Sequence, residues 1–558
     1  MDALKILAAL SPILSIFTFL VLLRWPAKYA MPLTALITAA LAGAVWQVPA
    51  IRIAAAAIEG LMVAASIIWI ILGAIFLLKV MSASGALERI RNGFTVVSPD
   101  RRVQLILIAW LFGAFIEGAA GFGTPAVICA PLLIALGFPA MAAVVLTLIA
   151  NSSPVSFGAV GTPVLIGMQM GLEAGEKDVL SHMHITDQTL GGFVETVAVQ
   201  ALVMDLMIGS FVPILLCVLM TFCFGRNKSI REGLEIWRFA LLAGLAFFLP
   251  ALAVAYFFGP EFPSLLGGLI GIGIVLLAIK FDFLLPKTQW DDFCPQFKTL
   301  QSPVPEKDKN KTASPSKKIT LAYAWLPYLL ITLVLVLTRI DAFLLKDMLK
   351  AMALEWNNIL HTDISARIEP LYLPGTVFLL TALIAAKLYG MRRRDLVRTA
   401  GETFSALQSG IIALCAAVPT VRIFVYSDIN TGGVDSMPIE LAAMAIGYFG
   451  SGWSFFAPFV GVLGTFISGS ATFSNMMFSL LQFSAASEAG LPPRLILAAQ
   501  LLGANAGNMI AVVNVVAVAA VTQLSGREGQ IIRYTILPML LLALSAGIIT
   551  TVFIRFPV

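Results

Sequence analysis

The chain has 558 residues, of which 59% are hydrophobic and 12% are charged, and its formal net charge is +5 at pH 7. Soluble domains carry about 25% charged residues, so the composition excludes a soluble globular protein. A mean hydropathy of +0.94 places the chain among proteins that cross a membrane many times.

Apolar runs of about 20 residues can cross a bilayer as helices, and such runs follow one another along the whole chain. Uninterrupted runs lie at 6–23, 29–48, 61–78, 202–224, 236–257, 264–279, 321–338, 371–386, 405–425 and 534–553. Interrupted apolar tracts lie at 109–163, 441–487 and 495–526. Together these runs predict an all-α polytopic membrane protein with about 12–14 membrane segments.

A polar stretch at 280–320, rich in Lys, Pro and Ser, separates two halves of the chain. Lys and Arg in loops mark the cytoplasmic side, so we expect this loop to be cytoplasmic and the N-terminus to lie outside. The sequence therefore predicts a first membrane repeat at 1–235, connecting spans at 236–338 that carry the loop, and a second membrane repeat at 339–558.

The tract 109–163 organises the chain because its apolar run is broken twice, at 118–125 and at 151–163. Both breaks are rich in Gly, Ser, Thr and Pro. Irregular backbone survives at membrane depth only inside protein or against a water-filled cavity. Paired broken or re-entrant helices are typical of the binding sites of secondary transporters.

The chain also repeats itself. The pattern FIxGxAxF at 115–122 recurs at 466–473, the GFP at 137–139 is matched by GLP at 490–492, and Ala150-Asn151 is matched by Ala504-Asn505. The pattern of positive loops has the two copies entered from opposite sides of the membrane. The sequence therefore predicts two inverted repeats, with a site near the midplane where they meet.

The breaks themselves supply candidates for substrate binding. Thr124-Pro125 and Thr162-Pro163 each pair an N-cap type of residue with Pro at the first helical position. A helix N-terminus binds a carboxylate without needing Arg or Lys. Hydroxyl and amide groups could then hydrogen-bond to a neighbouring hydroxyl of the ligand. The alternative is that the breaks are kinks or close helix contacts. The substrate-binding candidates are Gly121, Gly123, Thr124, Asn151, Ser152, Ser153, Thr162, Ser468, Ser470, Thr472, Ser474, Asn475, Asn505 and Asn508.

Glu117 is the strongest single candidate for coupling to protons. It stands between apolar runs, and a carboxylate at that depth usually faces a cavity or a partner. Burial disfavours the ionised form, which suits a proton carrier, although a structural hydrogen bond is the alternative. Asp205 and Glu195 are predicted at or near the start of a span, and Asp205 is the second proton-coupling candidate.

Three further charged residues lie in or near apolar runs. Arg422 is a candidate to hold a substrate carboxylate bidentately, or alternatively to reach the outer interface or to pair with Asp428. Glu59 and Arg52 are predicted to lie in an interfacial helix, where their long side chains reach the polar boundary.

Other kinds of chemistry lack support in the sequence. His182 and His184 resemble a metal pair, but no carboxylate or Cys spacing completes a site, so neither a metal nor a cofactor is predicted. No nucleophile with a base, phosphate-binding Gly loop or basic nucleic-acid patch is present. These absences disfavour an intramembrane enzyme, a primary pump and a nucleic-acid-binding protein.

One long block also carries a family resemblance. At 113–163, GAFIEGAAGFGTPAVICAPLLIALGFPAMAAVVLTLIANSSPVSFGAVGTP, the sequence resembles the bacterial L-lactate permease family, whose members also carry glycolate. The resemblance extends over nearly the whole chain, including its length, the middle polar loop and the block FISGSATFSNMMF at 466–478. That family looks akin to anion transporters with two re-entrant hairpins carrying Ser-Asn-Thr motifs, which 474–476 and 151–153 match only in part.

The resemblance implies a secondary active transporter that imports L-lactate and related 2-hydroxymonocarboxylates by proton symport across the bacterial inner membrane. Its partners would be a small carboxylate, a proton and the lipid bilayer. A homodimer is a possible assembly. The residues alone support a small anionic substrate, and lactate comes from the resemblance. The alternative is a sodium-coupled transporter of another carboxylate.

Overall fold

A computed structural model of the chain is built almost entirely of helices. It describes residues 3–23, 25–95, 97–121, 123–173, 175, 179–181, 189–295, 319–339 and 345–556. Within these residues, 11 helices are long and apolar enough to cross a membrane, and five shorter apolar helices accompany them. Two three-residue antiparallel strands form the only sheet of the described part. The predicted all-α polytopic membrane fold is confirmed.

The elements are numbered here in chain order. The helices of the first part are α1 Ala3–Ile16, α2 Ala27–Ala44, α3 Ala50–Ala83, α4 Ala86–Thr95, α5 Arg101–Ala120, α6 Thr124–Ala135, α7 Ala140–Ala150, α8 163–173, α9 Leu190–Gly209, α10 Val212–Leu219, α11 Ile230–Leu234, α12 Trp237–Phe258 and α13 Pro263–Lys280. The second part contains α14 Leu321–Arg339, α15 Leu345–Lys350, β1 Leu354–Trp356, β2 Ala366–Ile368, α16 Pro374–Leu388, α17 Arg393–Val425, α18 Met437–Phe449, α19 Trp453–Ser468, α20 Ala471–Glu488, α21 Pro493–Gly507, α22 Val512–Val521 and α23 Glu528–Arg555.

Both predicted breaks of the first half are present. Helix α5 ends at Ala120, and Gly121 and Gly123 follow with φ of 59° and 75°, a backbone region in which only glycine is unstrained. Helix α6 then begins at Thr124. After α7, a 3₁₀ turn at Ser153–Phe157 leads into a kink at 158–162 with three consecutive positive φ angles, and α8 follows.

The second half repeats this order of elements. Helix α19 ends at Ser468, Gly469 has a φ of 76°, and α20 begins two residues later. Helix α21 ends at Gly507, and α22 begins after a short irregular segment. In each half a tight turn joins the two middle helices, and each turn contains a glycine with positive φ, Gly137 or Gly490.

Three sequence predictions about charged residues and helix limits are wrong. Arg52 and Glu59 do not lie in an interfacial helix, because α3 runs unbroken over 34 residues and buries both side chains. Asp205 does not lie at the start of a span, because α9 begins at Leu190 and the apolar stretch continues from there to Phe224. Helix α17 begins at Arg393 rather than at residue 405, because its first turns are amphipathic and the apolar run begins later.

Some predictions concern residues outside the described part of the chain. His182, His184, Phe122 and residues 296–318 of the polar loop belong to this group.

Candidate functional site

A cavity of about 30 Å³ lies where the breaks of the two halves meet. The break after α5 contributes Gly121 and Gly123, and the kink before α8 contributes Gly158 and Thr162. The other half contributes Gly469, Ser470, Thr472 and Asn508. The remaining lining residues are Glu117, Val155, Ala159, Pro163, Ala471 and Asn514. Segments more than 300 residues apart in the sequence therefore share one small polar cavity, as the paired breaks predict.

Two parallel helices, α8 and α20, begin side by side at this cavity. A Cβ on Gly167 would lie 2.6 Å from Thr472 O, and a Cβ on Gly171 would lie 2.7 Å from Met476 O. The contact advances four residues on each helix, so both helices run in the same direction. The glycines of this G-x-x-x-G spacing let the two backbones touch. The Asn475 amide also donates to Pro163 O over 3.2 Å.

The two helix N-termini give the cavity a positive wall without a cationic side chain. Ser470 caps α20, with 3.5 Å between Phe473 N and Ser470 Oγ, and Ser474 N–H donates to Ser470 O over 3.0 Å. Ala471 and Thr472, the first two residues of α20, line the cavity. Each helix start carries about half a positive charge, so two adjacent starts favour an anion.

Glu117 lies on another wall of the same cavity. Its side chain is 3% exposed, and the Asn151 amide hydrogen-bonds its carboxyl group. Its Oε2 atom has no hydrogen-bond partner among the described residues, and neither has Asn151 Oδ1. Buried polar atoms are nearly always bonded, so an unpaired carboxyl oxygen on a cavity wall indicates a group that meets a ligand or a proton.

Asn508 and Asn514 form a third wall. Asn514 Nδ2 donates to Asn508 Oδ1 over 2.7 Å. Asn508 is among the residues predicted from the sequence, whereas Asn514, in the first turn of α22, is not. Its side chain lies directly over Gly123, where a Cβ would be 2.5 Å from Asn514 Oδ1. Gly123 is therefore required both for its positive φ and for room beside this amide.

Several predicted site residues hold the breaks in shape instead of lining the cavity. Thr124 Oγ1 donates to Gly121 O over 2.8 Å, and Ser468 Oγ donates to Gly464 O over 2.6 Å. Ser474 and Asn475 lie one turn inside α20, where both accept from the buried Gln500 amide. Among the lining residues, Thr162 Oγ1 likewise donates to Ala159 O, over 2.5 Å.

A second, smaller cavity of about 10 Å³ is lined by Ser152, Ser153, Asn505 and Asp205. Asn505 holds the break at 151–153 in place, with 3.5 Å between its Nδ2 atom and Ser153 O. It also accepts a 2.8 Å hydrogen bond from Ser156 Oγ.

Arg422 lies outside both cavities, and protein groups occupy its guanidinium. Its Nε donates to Glu59 Oε2 and its Nη1 to Met170 O, each over 2.5 Å. Its Nη2 contacts the Tyr426 hydroxyl over 2.7 Å and Glu173 Oε2 over 3.4 Å. Asp428 was one predicted partner of Arg422. It pairs with Arg52 instead, with 2.7 Å between Arg52 Nη2 and Asp428 Oδ1.

Comparison with known proteins decides the family. The sequence model described as L-lactate permease matches residues 5–556 of this chain. The chain belongs to the L-lactate permease family. It is a multi-pass membrane permease rather than an enzyme, as predicted.

Named relatives of this L-lactate permease family member match along almost their whole length. An L-lactate permease of Bacillus subtilis is 30% identical over 98% of this chain and 95% of its own. The glycolate permease GlcA of Escherichia coli K12 is 29% identical over the same shares, and an L-lactate permease of that strain is 27% identical, again over 98% and 95%.

Proposed function

We propose that this protein imports L-lactate and related 2-hydroxymonocarboxylates, such as glycolate, by proton symport across the bacterial inner membrane. The observation that carries the proposal is the cavity in which the Glu117 carboxyl, whose Oε2 atom has no partner among the described residues, shares one space with the starts of α8 and α20. The names of the relatives, L-lactate and glycolate permeases, supply the substrate class.

The chemical groups that line the cavity suit a small hydroxy acid. The substrate carboxylate binds at the paired helix starts, near Ser470 and Thr472, where amide groups and helix dipoles favour negative charge. The asparagine pair Asn508 and Asn514 offers amide groups to the substrate hydroxyl. Glu117 carries the proton, and its protonation removes a buried negative charge that would otherwise repel the anion in the same cavity. Because the proton offsets the charge that the anion brings, the loaded cavity carries no more negative charge than the empty cavity with Glu117 ionised, and coupled crossing is favoured.

We also propose that the two halves, 1–235 and 339–558, form inverted repeats joined by the spans at 236–338. The start of α5 and the start of α23 lie at the same end of the molecule. Arg101 N–H donates to Trp290 O over 3.0 Å, and four residues later Cys294 N–H donates to Phe224 O over 2.9 Å. The Phe224 ring packs on Tyr534 in the second turn of α23, with 5.2 Å between ring centroids.

The start of α19, which corresponds to α5, lies at the other end. Ser454 Oγ is 3.1 Å from Thr551 Oγ1. Thr551 follows Tyr534 along the same continuous helix, at a distance of roughly 25 Å given the rise per residue. Helices α5 and α19 therefore start from opposite ends, which supports inversion. The cluster of Lys and Arg around the α5 end supports a cytoplasmic location for that end.

The test is uptake of labelled L-lactate by purified protein in proteoliposomes in sodium-free buffer. An inward proton gradient at zero membrane potential is expected to drive accumulation above the external concentration, and unlabelled glycolate is expected to compete. Accumulation that ignores the proton gradient would remove the symport proposal. If uptake required sodium at zero pH gradient, the sodium-coupled alternative would replace it.

A further inference from the structure

The second cavity contains a carboxyl group that the substrate site does not use. Asp205 of α9 reaches this cavity, where Ser152 and Ser153 form one side and Asn505 of α21 forms another. Ile208, Leu502, Ala506 and Leu542 complete the lining. The cavity is therefore apolar except for one carboxyl group and the side chains of the two breaks.

The Asp205 carboxyl makes no hydrogen bond or ion pair with the described residues, although its residue is only 8% exposed. The hydroxyl of Ser153 is likewise unbonded among these residues, whereas Ser152 Oγ donates to Ile149 O over 2.7 Å. Asn505 Oδ1 is occupied by Ser156. An isolated buried carboxylate is costly in this setting, so the group needs a proton or another cation.

No other charged side chain of the described residues lines this cavity. Helices α8, α12, α21 and α23 pack against α9. Their charged residues lie toward the helix ends: Glu173 on α8, Arg238 on α12, Arg494 on α21, and Glu528, Arg533 and Arg555 on α23. Arg494 and Arg533 are roughly 13 Å or more along the helix axis from Asn505 and Leu542, the residues of their helices that reach the cavity. On α9 itself, Glu195 lies almost three turns from Asp205.

The same two breaks border both cavities. In the first half, Asn151 bonds Glu117 in the substrate cavity, and the next two residues line the Asp205 cavity. In the second half, Asn505 lines the Asp205 cavity and Asn508 lines the substrate cavity. A change in backbone at either break on substrate binding therefore reaches both carboxyl groups.

Resting on the proposed proton symport, we propose that Asp205 carries a second proton. One lactate anion then enters with two protons, one on Glu117 and one on Asp205, and each cycle moves one net positive charge inward. Both protons bind at carboxyl oxygens on the outer side and leave from the same atoms on the inner side, so no other reactant is needed.

The donor set favours a proton over a metal ion. Hard cations such as Mg²⁺ and Ca²⁺ take six or more oxygen ligands. Here the side chains that line the cavity offer only five oxygen atoms, two from Asp205 and one each from Ser152, Ser153 and Asn505, and a single negative charge. A carboxyl group accepts a proton without any further ligand.

The experiment measures how membrane potential drives uptake at zero pH gradient in sodium-free proteoliposomes. One proton per lactate makes transport electroneutral, so an interior-negative potential drives no accumulation. Two protons make it electrogenic, and a potential of about 118 mV then supports up to about 100-fold accumulation, at 59 mV per factor of ten. The wild type is expected to accumulate lactate. Asp205→Asn is expected to lose this response while it keeps uptake driven by a pH gradient.

Asp205→Glu, which keeps a carboxyl, is expected to keep the response to potential, and Glu195→Gln on the same helix is the matched control. Uptake that follows the pH gradient but ignores the potential overturns the second proton and leaves the proposed symport intact. Uptake that ignores both overturns the symport itself. An Asp205→Asn protein that still responds fully to potential overturns the role of Asp205. If Asp205→Asn also loses lactate exchange, the charge moved per lactate by the wild type still gives the number of protons. The response of Asp205→Glu to potential then shows whether the second proton depends on a carboxyl group at position 205.

Discussion

Arg422 and Glu59 form a buried ion pair between two long membrane helices, α17 and α3, with 2.5 Å between Arg422 Nε and Glu59 Oε2. The same guanidinium donates to Met170 O near the end of α8, the helix whose start lines the substrate cavity. Arg422 therefore connects the far end of α8, a helix that lines the cavity with its start, to the two long helices α3 and α17.

Breaking this pair on one side is expected to be strongly destabilising. Glu59→Gln or Arg422→Met leaves a charge buried without its partner, which costs about 3–5 kcal/mol of unfolding free energy. The double variant Glu59→Gln/Arg422→Met removes both charges and is expected to be more stable than either single variant. Thermal unfolding in detergent measures this, and strictly additive losses would contradict the assignment.

Glu117→Gln is expected to abolish accumulation driven by a pH gradient while it keeps part of the lactate exchange, because glutamine retains the shape and the bond to Asn151 but holds no transferable proton. Uptake and counterflow in proteoliposomes separate the two activities. The exposed Glu195→Gln, a carboxyl-to-amide change on α9, is expected to keep both. Full gradient-driven accumulation by Glu117→Gln would refute its role.

Gly167→Ala is expected to weaken substrate binding. A methyl group there would lie 2.6 Å from Thr472 O and push apart the two helix starts proposed to bind the carboxylate. Overpacking of this kind costs about 1–3 kcal/mol, and we expect the apparent KM to rise by about tenfold, equivalent to 1.4 kcal/mol. Gly410→Ala is the control, because a Cβ there meets no atom within 4 Å. Equal kinetics for the two variants would argue against the close contact.

Ser470→Asp separates stability from binding. A carboxylate is a good N-cap and stabilises a helix start by about 0.3–1 kcal/mol, yet it occupies the positive position proposed for the substrate. We expect unchanged or slightly higher thermal stability and an apparent KM at least about tenfold higher. Ser470→Asn caps the helix without charge and is expected to keep the KM near that of the wild type. An unaltered KM in Ser470→Asp would show that the substrate anion does not bind at the start of α20.

The proposed inverted arrangement predicts opposite accessibility of two matching positions. Ala135 and Glu488 are exposed, and each lies two residues before the turn glycine of its repeat. Single cysteines introduced there into a variant without the five native cysteines are expected to react with a membrane-impermeant thiol reagent from opposite sides. The cysteine at 135 should react from the cytoplasmic side. Labelling of both from one side would contradict inversion.

Local signals in the sequence were enough to find the breaks. Gly121 and Gly123 adopt positive φ, and Thr124-Pro125 begins a helix. The break that contributes Gly121 and Gly123 to the cavity could therefore be predicted from neighbouring residues in the sequence. The sequence also contains a pattern that is typical of close helix contacts, the G-x-x-x-G at 167–171, where α8 packs on α20.

The partners of the buried charges could not be read in this way. Glu59 and Arg422 are 363 residues apart, and the opposite charges nearest to them in the sequence, Arg52 and Asp428, pair with each other instead. Asp205 was misplaced for a related reason, since polar residues before it concealed the start of α9. Burial of a charge depends on tertiary neighbours, and a single sequence does not show them.

If the proposed site is correct, the glycine contact between α8 and α20 limits the size of the acid that can be carried. Where two backbones already touch, the carboxylate wall cannot retreat, so an acid with a longer carbon chain can gain room only by displacing the wall that bears Glu117. Selectivity for chain length and affinity for the coupled proton are then set by the same few atoms, and an engineered gain in one should appear as a change in the other.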